Sequence, residues 1–240
     1  MSTNPIKKTV RDLADSILKE GNRILNLAYN SRVGADPLTI ALQNIKSLVD
    51  TLDNSTFSDV VSKELLALKS TIDVRLSTLP SKLFDDLGKF DKTGLNSFLK
   101  TKFISMNDMA KSTLNTIKNE MLSNISLGVD KEKVLINIAK KVEGRLIPYS
   151  ETLYNTAKQE FNQRVELDVI KQLKLDEDKD ILYYYSGPPL KDNSHEACRA
   201  AFAFGRYFTY QEMQDFITKW GIRYNCRHLF AVTDKRVGDL

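Results

Sequence analysis

The sequence predicts a mostly helical α+β protein. An all-helical N-terminal region, a bundle or extended arm, is expected over residues 1–126, with a small α+β domain over 127–240. Three observations predict this. Apolar residues recur at helical spacing throughout the first half. The run Ile181-Leu182-Tyr183-Tyr184-Tyr185-Ser186 lies between a charge cluster and Gly187-Pro188-Pro189, which is a strand signal. All the Cys, His and Trp residues fall between His195 and His228, so the chemistry-bearing types are confined to the C-terminal part.

The chain has 240 residues, 42% hydrophobic and 28% charged, which is ordinary for a globular protein with a sizeable core. No apolar run approaches a membrane span, so no membrane partner is expected. Charges run through MSTNPIKKTVRDLADSILKEG, so no secretory signal is expected there. Reduced thiols in a cytosolic setting are the default. The formal charge of +4 permits contact with nucleic acid without requiring it.

Asn4-Pro5 is a helix start, and Val10, Leu13, Ala14, Ile17, Gly21, Ile24, Leu25 and Ala28 continue it as a bundle seam. Asp36-Pro37 starts a second helix with Leu38, Leu42, Ile45, Val49 and Leu52. A third is expected to carry Val61, Leu65, Leu68, Ile72, Leu76 and Leu79 without a break. Pro80 and Gly88 bracket a short amphipathic piece. Leu95, Leu99, Phe103, Met106, Ala110, Leu114, Ile117 and Met121 form the stripe of a long helix over 95–125, with the methionines as core filler.

Leu127-Gly128-Val129-Asp130 is a turn and cap. A helix is expected over 131–143, stopped by Gly144, and another over 149–173 with Leu153, Ala157, Phe161, Val165 and Ile170 on its buried side. Over 181–234 the α+β part begins with the aromatic strand. Asn193 or Ser194 is expected to cap a helix through Ala203. Gly205-Arg206-Tyr207-Phe208 suggests a turn or short strand. Thr209 and Glu212 form a capping box for a helix through Trp220, and Arg227–Val232 suggests a last strand.

His195, Cys198, Cys226 and His228 are the candidate site residues. Thiolate and imidazole are the ligands of tetrahedral zinc, and four complete a closed structural site. Two other arrangements suit the same residues. One is two buried thiols packed as small hydrophobes beneath Tyr207 and Trp220, with unrelated histidines. The other is a Cys198–Cys226 disulfide. No local signature of a thiol nucleophile surrounds either cysteine, so no catalytic residue is expected. Asp192, Glu196, Arg199, Arg223 and Arg227 suit an ion-pair network around the cluster. Arg199, Arg206, Arg223, Arg227, Lys235 and Arg236 interleave with Tyr207, Tyr210 and Tyr224, a pattern suited to phosphates and bases. From Gly187 onward there are eight Lys/Arg against six Asp/Glu, which suits a mixed solvated surface equally.

Tyr183-Tyr184-Tyr185, Asp192-Asn193-Ser194, Cys198, Gly205-Arg206-Tyr207-Phe208-Thr209, Glu212 and Asn225-Cys226-Arg227-His228 follow one another in an order that resembles a known family. It is the C-terminal domain of phage-Mu-F-like minor head (head morphogenesis) proteins. The resemblance covers about residues 127–234. Many relatives carry His-Pro where this chain has Arg223-Tyr224, and a second cysteine where it has His228. His195 has no counterpart in the pattern.

The resemblance implies a minor structural protein of a phage head, acting at or near the portal vertex in prohead assembly and genome packaging. Portal or other head proteins are the implied partners. DNA is a further one, for a head protein packaged and ejected with the genome. The implied locations are the virion and, before assembly, the bacterial host cytoplasm. No enzymatic activity or small-molecule substrate is implied, and structural zinc is the only cofactor in view. Eight residues follow Val232, so no effector domain is expected after it.

Overall fold

A computed structural model describes residues 5–31, 34–221 and 228–239. It is mostly helical with one small antiparallel sheet, the α+β class read from the sequence. The chain forms two compact units. The first comprises residues up to Glu64 with Lys102–Tyr154, the second Leu65–Thr101 with the chain from Asn155 onward.

In the first unit, α1 (Pro5–Tyr29) buries the predicted seam from Val10 to Ala28. Its predicted cap, Asn4, lies outside the described residues. Gly21 makes room for α7 (Lys131–Lys141), since a Cβ there would sit 3.4 Å from Ile138 Cδ1. Asp36 caps α2 (Pro37–Asp53) by accepting from the Leu38 and Thr39 amides, with Pro37 in the first turn. α3 spans Phe57–Ala67 and α6 spans Thr93–Ser126; both begin in one unit and end in the other. α6 ends in a Schellman motif, in which Gly128 takes φ +67 and the Gly128 and Val129 amides reach Ile125 O and Asn124 O. Asp130 then caps α7.

Two sequence expectations fail here. Gly144 does not end a helix. Val142–Leu146 is a π-helical turn running straight into α8 (Ile147–Gln172). Val142 and Leu146 are fully buried, and that burial keeps the chain helical. The wider turn lets the Ile147 amide reach Val142 O, and it accommodates Pro148, which has no amide of its own to donate. The single third helix is instead α3 and α4 (Ser70–Leu76), joined by a tight turn at Leu68 and Lys69. Leu65, Leu68, Ile72 and Leu76 stay buried across that turn, so the apolar spacing survives while the helix does not.

In the second unit, α5 (Ser81–Leu87) lies between Pro80 and Gly88 as expected. β1 (Ile181–Ser186) is the centre of a sheet ordered β2-β1-β3, with β2 at Tyr207–Phe208 and β3 at Leu229–Arg236. Both pairings are antiparallel: Tyr184 faces Tyr207 on one side and Ala231 on the other. Tyr183, Tyr185, Phe208, Phe230 and Val232 are buried, the pattern of one covered sheet face. α9 (Glu196–Ala203) and α10 (Tyr210–Trp220) supply that cover. The capping box of Thr209 and Glu212 is present in both directions. The α9 cap differs from expectation. His195 occupies the position without a side-chain cap bond, because Ser194 Oγ accepts from the Lys191 amide at 2.7 Å instead.

Candidate functional site

Tyr185 is the hub of the C-terminal core. Its ring stacks on His228 at 5.2 Å and an interplanar angle of 6°, and meets Phe230 at 4.9 Å and Phe216 at 5.5 Å. Its hydroxyl lies 3.6 Å from Cys198 Sγ. Phe202 meets His228 edge-on at 5.5 Å. His228 Nε2 bonds Pro188 O at 2.8 Å, which requires the proton on that nitrogen. Burial holds the imidazole below the usual histidine range, nearby Arg206 adds to the effect, and the bond to Pro188 opposes it. Gly187 passes directly against the ring: a Cβ there would lie 2.3 Å from His228 Cδ2.

Two of the four predicted site residues, Cys198 and His228, are thus brought to one ring, Tyr185. His195 is exposed at the start of α9. Cys226 lies outside the described residues, as do Arg223, Tyr224 and Arg227. Among the described residues no three His, Cys, Asp or Glu side chains gather as a metal centre requires. The ring above Cys198 is Tyr185 rather than Tyr207, because Tyr207 pairs with Tyr184 on the opposite face of the sheet. Arg199 does not enter an ion pair with Asp192 or Glu196; it donates to the carbonyl oxygens of Ser194 and Asp192.

A second set of residues was not legible beforehand. Gln159, Gln163 and Glu166 of α8 are buried polar side chains aligned with the outer edge of β3. Gln159 Nε2 donates to His228 O. Gln163 Oε1 accepts from the Phe230 amide at 3.1 Å, and Glu166 Oε2 from the Val232 amide at 3.3 Å. A helix therefore satisfies, residue by alternate residue, the backbone groups that an edge strand leaves open. Desolvation pushes the Glu166 carboxyl up, and Arg75, 3.1 Å away, opposes that. The spacing i, i+4, i+7 is a one-face signal, but polar side chains at that spacing read as a solvated face.

The opposite sheet face carries a row of rings and cations. Tyr184 and Tyr207 are 5.0 Å apart. Arg206 lies 4.4 Å from the Tyr184 centroid and 4.2 Å from that of Phe202, and Lys235 lies 4.8 Å from Tyr207. Arg206 follows Gly205 in a Schellman end to α9 and takes φ +71 itself. Its backbone carbonyl accepts from the Tyr185 amide and its Nε donates to Tyr185 O at 3.0 Å. Of the other predicted phosphate-binding residues, Arg236 pairs with Asp178 at 3.0 Å, and Tyr210 packs against Tyr183 in the core.

No helix among the described residues is long and apolar enough to cross a membrane. No family model, no curated protein and no solved structure matches this chain.

Proposed function

We propose that this chain is a minor structural protein of a phage head that acts at or near the portal vertex during prohead assembly and genome packaging. The reading rests on the phage-Mu-F-like resemblance. What supports it is the use the fold makes of the described residues that carry that resemblance. Tyr183 and Tyr185 form the central strand. Cys198 lies buried beside the Tyr185 hydroxyl, Gly205-Arg206 turns the chain into β2, and Thr209 with Glu212 starts α10. Residues used this way are framework, and the role is that of a non-enzymatic interaction protein with portal or other head proteins as partners.

The test is incorporation into particles in the producing host. The chain should co-purify with proheads and disappear from them when the portal protein is deleted. A chain that stays in the cytosol and is absent from particles overturns the reading. Zinc held by Cys198, Cys226 and His228 would couple folding of the segment to metal binding. Elemental analysis giving one zinc per chain supports that site, and a folded, metal-free chain ends it.

A second reading, contact with the packaged DNA, is favoured by Arg206 and Lys235. Both sit on aromatic rings, and neither has an ion-pair partner among the described residues. Affinity for DNA should then fall steeply with added salt, as phosphate contacts release counterions. Binding without salt dependence argues against it.

A further inference from the structure

The Tyr184–Tyr207 face has the chemistry of a stacking platform. The two rings stand opposite each other on neighbouring strands, half-buried, and Ala231 opposite Tyr184 in β3 adds no bulk beside them. A cation lies over each ring of the pair, Arg206 over Tyr184 and Lys235 over Tyr207. Two other cations of this unit are neutralised locally, Arg75 by Glu166 and Arg236 by Asp178. Arg206 and Lys235 have no carboxylate within ion-pair distance among the described residues. Arg206 is fixed in place by its Nε bond and by the Phe202 ring, while its Nη groups make no hydrogen bond among the described residues. Aromatic faces framed by uncompensated positive charge complement a ligand with both π faces and negative charge.

We propose that this sheet face binds single-stranded nucleic acid, unpaired bases stacking on Tyr184 and Tyr207 while Arg206 and Lys235 hold the flanking phosphates. The inference rests on the nucleic-acid reading above and narrows it. Bases inside a duplex are already stacked and cannot offer their faces to a tyrosine, whereas splayed bases can. Binding should be tolerant of sequence, because every base has a π face.

The experiment is fluorescence anisotropy with the full chain and two probes, a labelled oligothymidylate and a duplex, each of about 20 residues per strand. The expected result is tighter binding of the single strand. Tyr184→Ala or Tyr207→Ala should weaken oligothymidylate binding about tenfold, the size of one lost stacking contact. Tyr184→Phe keeps the ring and should bind like the parent. Tyr184→Leu keeps apolar bulk without a ring, and should lose affinity even if the alanine variant proves poorly folded. Lys235→Gln should lower the salt slope by roughly 0.7, one single-strand phosphate contact.

Equal binding of both probes, unaffected by the tyrosine substitutions, overturns the platform and leaves the nucleic-acid reading standing. Failure to bind either probe at low salt overturns both.

Discussion

Replacing Gly187 with alanine should destabilise the C-terminal unit, chiefly through its close approach to His228. The new methyl would lie 2.3 Å from His228 Cδ2, 2.7 Å from Cγ and 3.0 Å from Cα. The imidazole has little room to retreat, because Tyr185 is stacked on it at 5.2 Å and Phe202 meets it at 5.5 Å. Forcing a methyl into a packed site costs about 1–3 kcal/mol. Tilting the ring also strains the Nε2 bond to Pro188 O, adding about 1 kcal/mol. A loss of about 3 kcal/mol is therefore expected, which lowers the melting midpoint of a chain this size by roughly 6–12 °C. Urea denaturation followed by circular dichroism gives the free energy. The same substitution in a His228→Ala background removes the two ring contacts and leaves the 3.0 Å approach to Cα and the backbone strain of φ +159, so the cost should fall without vanishing. The two changes should couple by at least about 1 kcal/mol. A Gly187→Ala cost within about 0.5 kcal/mol, or a cost unchanged without the imidazole, refutes the packing argument.

Three further outcomes follow from the same core. His228 is held neutral by burial, so its folded pKa lies below the unfolded value. Its contribution is intact above about pH 6.5 and is lost as pH falls through the folded pKa, and His228→Phe should flatten that part of a stability–pH curve. Arg75→Met leaves the Glu166 carboxylate buried without its counter-charge, at a cost of about 3–5 kcal/mol near neutral pH. Because the raised Glu166 pKa favours the neutral acid, that cost should shrink on acidification, and a cost independent of pH would contradict it. Gln163→Leu keeps the bulk but orphans the Phe230 amide, which should lose about 1–3 kcal/mol of stability; hydrogen exchange should show that amide opening faster, while unchanged protection would remove α8 as the partner of this strand edge.

Most local signals survived into the fold, the Gly144 stop and the Ser194 cap being exceptions, and tertiary ones were invisible beforehand. The Thr209–Glu212 box, the Asp36-Pro37 start and the Gly128 turn are decided within a few residues, and each appears where the sequence places it. The aromatic strand at Ile181 was legible for a similar reason, bounded by charge on one side and Gly-Pro on the other. β3 runs on through Asp234, Lys235 and Arg236, beyond the expected Val232, because pairing with β1 at Ile181 extends it past its apolar residues. The polar ladder of α8 gave no warning, since Gln159, Gln163 and Glu166 acquire partners only when β3 arrives from far along the chain. Gly187 is a similar case: besides its φ of +159, a histidine ring distant in sequence leaves no room for a side chain. Within the candidate site, composition pointed to the right segment. It could not tell that Cys198 would face Tyr185, or that Arg206 would bridge Tyr184 and Phe202.

The central claim concerns place of action, so a reconstruction of the portal vertex in particles from the producing host tests it most directly. The account predicts density there that accepts the three-stranded sheet with α8, α9 and α10 around the Tyr185 core. A well-resolved vertex without such density, in particles that also lack peptides of this chain, would contradict it.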